Sequence, residues 1–391
     1  MEMQALYTGV NSDWVWEDRR FRIKLQVPSL GIGRVPQIAE LSVTIDHGGP
    51  PLPRSEGATL NPDSIVIAET DAEGRCLRSD VIFQWSQHAY GVADANTGAL
   101  LIWMPPSQDT DTPRYYHLYY NTCGESFVPV MAQKLVTVDD NIMDEGQECF
   151  RISSEFLTYY YQKQAAGFSS VLDREGRDWI GYRPGGGPAG EFRGIPNMVH
   201  PEGQFHPGAE GAASRIIEQG PLKISLLSET LDGKWACRWD LFPSHARMSV
   251  LRAGHPYWFL YEGTPGGRFD VEQFEVVRSP GVWSKGEDRW TERLAGEKWV
   301  YFKEFELGRS LFVIHHDDDG STDSYWPMNG QMTVFGFGRS GLDKSIEGLA
   351  TFTFGLSELE NDALEVHIRE LIRRPAEVIC IPECLSIDQV D

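Results

Sequence analysis

The sequence contains no run of about 18 apolar residues, the length that a helix needs to cross a bilayer. We therefore expect no membrane association. Basic residues are also scarce: 35 Lys and Arg stand against 57 Asp and Glu, and the formal net charge of −22 disfavours binding to a phosphate backbone. Residues 1–13 show no basic segment followed by an apolar one, so no signal peptide is visible. This favours a cytoplasmic location and leaves secretion of a processed form open.

The six cysteines form no recognisable framework. Their spacing is irregular, and the close pair Cys380 and Cys384 has no second pair that would complete a zinc site. We expect reduced, unpaired thiols. The sequence also lacks an internal repeat with the period of a propeller or a solenoid, which argues against those two architectures.

The residue types that are abundant in the chain favour short strands joined by tight turns. Aromatic residues make up 12% of it, and 39 Gly and 23 Pro supply turn positions. Residues 20–27 show the strand pattern most clearly, because apolar side chains recur at every second position from Phe21 to Val27. Similar segments recur through residues 40–138 and 222–354, which predicts an all-β protein.

These strands divide into two predicted domains. Residues 1–138 have the strand spacing of a small β-sandwich, and residues 139–391 form a second, larger β domain. The acidic stretch 136–146 is the expected linker between them.

One short helix is predicted near the C-terminus. Ser357 and Glu360 have the spacing of a capping box, in which each side chain bonds the backbone of the other residue. Leu364 and Ile368 then fall on one helix face, and Pro375 ends the helix.

The segment Tyr159–Pro207 carries the densest set of reactive side chains. Residues 178–207 are a long loop rich in Gly and Pro, and such a loop inside a compact domain is usually functional. Its polar candidates are Arg183, Glu191, Arg193, Asn197, His200, Glu202 and His206. Trp179, Tyr182 and Phe192 offer flat faces for stacking on a sugar. Because arginine grips carboxylates in a bidentate manner, the local basic patch favours a uronic-acid glycan.

The two histidines of this loop have three interpretations. His200 or His206 could transfer a proton near neutral pH. Both could instead bind a metal, with His315, His316 or a carboxylate as further ligands. They could also be structural donors to backbone carbonyls. No cofactor is predicted with certainty, and a divalent metal, Ca²⁺ or Zn²⁺, is the option that these residues leave open.

Two further turns are expected to complete a cleft. Tyr261–Arg268 ends a strand in a Gly-rich turn that carries Glu262 and Arg268. His315–Trp326 follows an apolar strand, and its carboxylates suggest Ca²⁺, although a solvated acidic turn fits better because the closing Glu of an EF-hand is missing.

Several segments resemble known carbohydrate-active proteins. Pro62–Ile65, Gly98–Trp103 and Arg114–Tyr120 resemble the β-sandwich modules that precede catalytic domains in bacterial polysaccharide-degrading proteins. Residues 159–205 resemble the large antiparallel β-supersandwich of galactose-mutarotase-like enzymes, a class that includes polysaccharide lyases and some hydrolases. The resemblance implies an N-terminal β-sandwich followed by a supersandwich. It also implies a sugar ring on a concave sheet, with His, Tyr, Arg or Glu around it.

The leading hypothesis is a polysaccharide lyase that cleaves an anionic oligo- or polysaccharide by β-elimination. This chemistry needs a cation for the uronate carboxylate, a base for the C5 proton and an acid for the leaving oxygen. Candidates for the cation are Arg193, then Arg183 and Arg268; candidates for the base are His200 and His206; candidates for the acid are Tyr159 and Tyr161. The residues expected to contact substrate are Trp179, Tyr182, Arg183, Asn197, Arg268, His315, His316 and Trp326.

Two alternatives belong to other classes. A glycoside hydrolase would use two carboxylates at a defined separation, drawn from Glu191, Glu202 and Glu262. A non-catalytic glycan-binding protein would show no turnover at all. The sugar, the linkage and the oligomeric state are not specified by the sequence.

Overall fold

The computed structural model describes residues 14–28, 35–46, 59–87, 96–107, 112–186, 191–199, 205–294, 296–373, 375–380 and 382–384. Strands dominate these residues, and the all-β prediction is confirmed. The chain forms two compact units, one of residues 1–133 together with 375–391 and one of residues 134–374. The predicted boundary at 138/139 is therefore close. The assignment of the last residues to the second domain is wrong, because the described part of 375–391 supplies two strands to the first unit.

Unit 1 consists of two sheets. Its strands are β1 (Phe21–Val27), β2 (Gln37–Ile45), β3 (Val66–Thr70), β4 (Cys76–Arg78), β5 (Phe83–Ser86), β6 (Thr97–Met104), β7 (Arg114–Tyr120), β27 (Ala376–Cys380) and β28 (Glu383–Cys384). One sheet has the order β28-β1-β7-β3-β4 and the other β27-β2-β6-β5. The pairing of β2 with β27 is parallel, and the other pairings in these two sheets are antiparallel.

A single core joins the two sheets of unit 1. The alternation predicted for β1 is confirmed, since Phe21, Ile23, Leu25 and Val27 are all buried. They pack with side chains of the opposite sheet such as Leu100. Because one face of each strand is apolar, the two faces bury each other as a β-sandwich.

Unit 2 contains the remaining strands and one described helix. The strands are β8 (Val136–Asp144), β9 (Gln147–Ser154), β10 (Leu157–Gln162), β11 (Gly167–Asp173), β12 (Ala212–Gln219), β13 (Ile224–Thr230), β14 (Ala236–Leu241), β15 (His245–Arg252), β16 (Phe259–Gly263), β17 (Phe274–Arg278), β18 (Val282–Lys285), β19 (Trp290–Glu292), β20 (Lys298–Glu304), β21 (Arg309–His315), β22 (Asp323–Trp326), β23 (Thr333–Phe337), β24 (Arg339–Ser340), β25 (Asp343–Lys344) and β26 (Thr351–Ser357). The helix, α1, spans Asn361–Ile372.

A nine-stranded antiparallel sheet forms one layer of unit 2, in the order β12-β13-β14-β15-β26-β21-β20-β17-β18. Two four-stranded sheets, β11-β10-β9-β8 and β16-β23-β22-β19, share one hydrophobic core with it. Ring contacts mark both junctions: Phe168 of β11 meets Phe354, and Phe259 of β16 stacks on Phe352 at 4.3 Å between centroids. Unit 2 is thus a large sandwich built from antiparallel sheets.

Two local predictions need correction. The acidic stretch 136–146 is not a linker: β8 pairs with β9 along most of its length, so tertiary pairing overrides its poor strand composition. The helix begins after Glu360, and no side chain caps it, so the predicted capping box is wrong. The predicted apolar helix face is confirmed, because Leu364 and Ile368 pack against Trp299 and other side chains of the nine-stranded sheet.

Two further findings concern the whole described chain. Among its described residues, no helix is both long and apolar enough to span a membrane. The five cysteines whose side chains are described, at positions 76, 123, 149, 237 and 380, are free thiols.

Candidate functional site

The outer face of the β16-β23-β22-β19 sheet carries the most distinctive polar cluster of unit 2. Side chains alternate along β16, so Phe259 and Tyr261 enter the shared core while Leu260 and Glu262 face the other side. The pairing registers place Val334 of β23 opposite Glu262, and Trp326 of β22 opposite Val334. With strands about 4.8 Å apart, the Cα atoms of Glu262 and Trp326 lie roughly 10 Å apart in one row across the sheet.

A segment of the long loop lies beside β16. Gly194 and Glu262 exchange two backbone hydrogen bonds, of 2.7 and 3.0 Å, and the Trp258 amide donates to the Met198 carbonyl. Gly194 has φ +154°, and a Cβ on it would lie 2.4 Å from Cδ of Pro207. Only glycine fits this close approach. The loop is therefore fixed against the strand, and it brings Asn197 over the outer face.

Asn197 contacts the carboxyl group of Glu262. Its Nδ2 donates to Oε2 at 2.6 Å, and both side chains are buried. Burial raises the pKa of Glu262 to about 8, against the smaller lowering effects of the Asn197 hydrogen bond and the Arg339 charge. At neutral pH the carboxyl group is therefore protonated, so it can donate a proton. Oδ1 of Asn197 has no hydrogen-bond partner among the described residues, which is costly for a buried acceptor.

Arg339 crosses the centre of the same face. A Cβ at Gly336 would lie 3.1 Å from both Cβ and Cδ of Arg339, so the arginine stem lies directly over this glycine. The guanidinium reaches Ser324, to which Nη1 donates at 3.2 Å, and lies 5.9 Å from the Trp258 ring centroid. Burial lowers the pKa of Arg339, the nearby Glu262 raises it, and the positive charge of Arg289 lowers it.

Two further cations lie on the aromatic side chains of this region. Lys344 is 5.2 Å from the centroid of the Trp258 ring, and Arg289 is 5.7 Å from that of Trp326. Neither Arg289 nor Arg339 has an ion-pair partner within the described parts of the chain. We call Glu262, Asn197, Arg339, Trp258 and Trp326 the Glu262 site. It combines a protonated acid, an amide and a cation beside indole rings.

The structure brings three predicted residues to this site: Asn197, Glu262 and Trp326. It places others in the hydrophobic core. Tyr159 and Tyr161 are completely buried among Phe168, Phe354 and Trp239, and burial raises both phenol pKa values well above normal. The prediction that one of them protonates a leaving oxygen is wrong, because a phenol in this core cannot touch a polysaccharide.

Trp179 and Arg193 also have structural positions. Trp179 is fully buried, and its indole nitrogen donates to Asp173, so it offers no stacking face. Arg193 donates to the carbonyl oxygens of Gly181 and Gln331, both at 3.0 Å. The predicted role of Arg193 as the cation for a uronate is therefore not supported, since the group already links two backbone segments.

The described histidines do not converge. His206 packs edge-on against Tyr182, and both side chains are buried. His315 stacks on Phe352 inside the core, where burial lowers its pKa to about 4. His316 faces the opposite way and contacts Thr353 at 2.8 Å. Neither of these two histidines lies at the Glu262 site.

The remaining candidates are exposed or undescribed. Arg183, Glu191 and Arg268 are on the surface, and Arg268 pairs with Asp270. His200 and Glu202 lie outside the described residues. Within the described ranges, no group of three or more His, Cys, Asp or Glu side chains could hold a metal ion, so neither Ca²⁺ nor Zn²⁺ finds a ligand set there.

Sequence reasoning missed Trp258, Arg289, Arg339 and Lys344. None of these residues lies in a recognisable motif. Trp258 and Arg289 precede two different strands, and Arg339 and Lys344 lie on the two strands of the β24–β25 hairpin. The sequence does hold a weak signal: Gly336 lies inside a short apolar segment just before Arg339, and glycine inside a strand often marks a close approach.

Comparisons with known proteins add no functional information. No protein-family model matches the chain, and no curated protein matches its sequence. A solved structure described as "Crystal Structure Analysis of HI1317" resembles it with 11% sequence identity and a TM-score of 0.40, over 57% of this chain and 99% of that one. At this level of similarity we take neither fold nor function from it.

Proposed function

We propose that this protein is a carbohydrate-active enzyme that cleaves a uronic-acid-containing glycan by β-elimination at the Glu262 site. One observation carries the proposal: a buried carboxyl group bonded to Asn197 lies next to Arg339, an arginine without a carboxylate partner among the described residues. A protonated acid next to an uncompensated cation suits a substrate that brings a carboxylate and a leaving oxygen.

The residues have separate roles in this reaction. Arg339 binds the uronate carboxylate and offsets the negative charge that builds up on it when C5 loses its proton. The electron pair of that C–H bond forms the C4–C5 double bond, and the C4–O bond breaks. Glu262 gives its proton to the departing oxygen, and Asn197 stabilises the carboxylate that remains. His200, three residues after Asn197 in the sequence, is the candidate base.

The indole of Trp326 supports binding of the sugar. It is half-buried and lies in the same strand row as Glu262. A pyranose ring could pack its C–H face on this indole while its carboxylate reaches Arg339. Trp258 is buried beneath Arg339 and Lys344, so its contribution is to hold these cations rather than to stack on sugar.

The test is a panel of uronate glycans incubated with the wild-type protein and with the Glu262→Gln variant. Elimination creates an unsaturated uronate that absorbs in the ultraviolet, and we expect the variant to form it about 10²-fold more slowly than the wild type, or slower still. New reducing ends without ultraviolet absorbance would select hydrolysis instead. Absence of both signals across the panel would leave a non-catalytic glycan-binding protein.

A further inference from the structure

Arg289 and Arg339 are two arginines without an ion-pair partner among the described residues, and one uronate needs only one of them. We propose that Arg289, Arg339 and Lys344, here called the cationic cluster, form an extended anion subsite. The substrate then carries negative charges on two neighbouring sugar residues. This inference rests on the proposed function for the identity of the ligand as a uronate glycan.

The arrangement of charges supports the subsite. The Arg289 charge lowers the pKa of Arg339, so the two guanidinium groups are close enough to repel each other. The neighbouring Glu262 carboxyl group is protonated at neutral pH and cannot neutralise them. Like charges held together without a carboxylate cost free energy, and a bound anion removes that cost.

Arg289 and Arg339, which have no acidic partner among the described residues, contrast with the other arginines of the chain. The protein has a net charge of −22, and its other arginines commonly have acidic partners. Arg309, for example, contacts Asp173, Glu175 and Glu358. Acidic side chains are therefore abundant, yet none pairs with Arg289 or Arg339 in the described structure.

Local structure holds two members of the cluster in place. Arg339 and Lys344 are directly paired in the β24–β25 hairpin, and both lie against the Trp258 ring. The base of this hairpin is fixed from the core, because the Gly338 amide donates to Asp323 at 3.0 Å. Asp323 in turn lies 3.3 Å from Nζ of the buried Lys298. The cations are thus pre-positioned, which reduces the entropy cost of binding an anion.

Arg289 differs from the other two cations in its setting. It is exposed and lies over Trp326, on the far side of the strand row from Glu262. Arg339 contacts the outer face near Glu262 directly. We therefore assign the carboxylate of the cleaved sugar to Arg339 and that of the adjacent sugar to Arg289.

Calorimetric titration in a Glu262→Gln background, where turnover is slowed by about 10²-fold or more, tests this assignment. The probes are diuronates of galacturonate, mannuronate and guluronate, together with matched disaccharides in which one carboxyl group is reduced to an alcohol. Arg289→Gln should lower diuronate affinity about tenfold and leave affinity for the singly charged probe nearly unchanged. Arg339→Gln should weaken both. Arg215→Gln, an exposed arginine on the nine-stranded sheet, is the control.

The outcomes separate this inference from the proposed function. Equal affinity for singly and doubly charged probes, or equal losses from Arg289→Gln on both, overturns the extended subsite even if elimination occurs. Charge-dependent binding without any ultraviolet product in the wild type supports the subsite and overturns β-elimination. Failure of every diuronate to bind overturns both.

Discussion

The side-chain amide of Asn197 lies 2.6 Å from the Glu262 carboxyl group and joins the long loop to strand β16. Two regions 65 residues apart thereby form one site. Both side chains are buried, and this is why burial dominates the pKa of Glu262.

The first prediction concerns activity and pH. Because Glu262 acts as an acid with a pKa of about 8, kcat should be constant near neutrality and fall as pH rises through that value. Glu262→Gln should lower kcat by about 10²-fold or more and remove this alkaline limb. Glu272→Gln, an exposed carboxyl group in the same unit, is the matched control. An unchanged alkaline limb in the Gln variant would exclude Glu262 as the titrating group.

The second prediction concerns stability and the same carboxyl group. Its folded-state pKa is raised above the ordinary value of 4.5, so the folded state holds a proton that the unfolded state has lost. The associated stability is fully present below that ordinary value and is lost as pH rises towards about 8. Glu262→Gln has no such group to titrate. In urea unfolding, the free energy of unfolding of the variant should therefore exceed that of the wild type by an amount that grows from acidic to mildly alkaline pH. At the alkaline end of this range the difference should be about a few kcal/mol. A pH-independent difference between the two proteins would contradict the raised pKa.

The third prediction separates the two buried tyrosines. The Tyr159 hydroxyl has no hydrogen-bond partner among the described residues, whereas the Tyr161 hydroxyl bonds Ser228 at 2.7 Å. Tyr159→Phe should therefore be neutral or slightly stabilising, and Tyr161→Phe should lower the free energy of unfolding by about 1 kcal/mol. Denaturant titration measures both. A large loss of turnover in Tyr159→Phe with unchanged stability would restore that phenol as the acid.

The fourth prediction uses the glycine beneath Arg339. Gly336 has ordinary strand conformation, but an added Cβ would lie 2.2 Å from Leu260 and 3.1 Å from Arg339. Gly336→Ala should displace the arginine and raise KM several-fold more than it lowers kcat, because substrate placement is affected before proton transfer. Ser324→Ala, which removes only the hydrogen bond to Arg339, should show a milder change in the same direction. A fall in kcat alone would argue that Arg339 acts only on the charge that builds up during elimination and does not contribute to binding of the ground-state substrate.

The sequence allowed the strands to be predicted better than the site. Period-two alternation in residues such as Phe21 and Ile23 is a local signal, and it sufficed for β1. The sequence pattern did not predict β8 as a strand, because its acidic residues lie on the exposed side of a strand at the edge of its sheet. Only the pairing with β9 identifies it as a strand. Local patterns report burial of one face, but they do not report pairing partners.

The Glu262 site shows the same limit more strongly. Asn197 and Glu262 could be predicted as candidates because each lies in a polar, Gly-rich segment. Their contact could not, since it depends on the bridge between Gly194 and Glu262. Arg339 lies in no sequence motif. It belongs to the site only because β16, β23 and β22 pair in one sheet. By contrast, Tyr159 and Arg193 were predicted as site residues because their side chains can be reactive. Tyr159 fills the core, and Arg193 links two backbone carbonyls.

The last strands of the chain complete the sheets that its first strands begin. β27 pairs with β2, and β28 pairs with β1. During synthesis the ribosome releases β1 and β2 early, but their edge partners emerge only after all of unit 2. Unit 2 can therefore finish folding while unit 1 still has two open edges, which are prone to pairing with other chains. A truncation after residue 374 would make this transient state permanent, so aggregation rather than loss of the Glu262 site is its expected consequence.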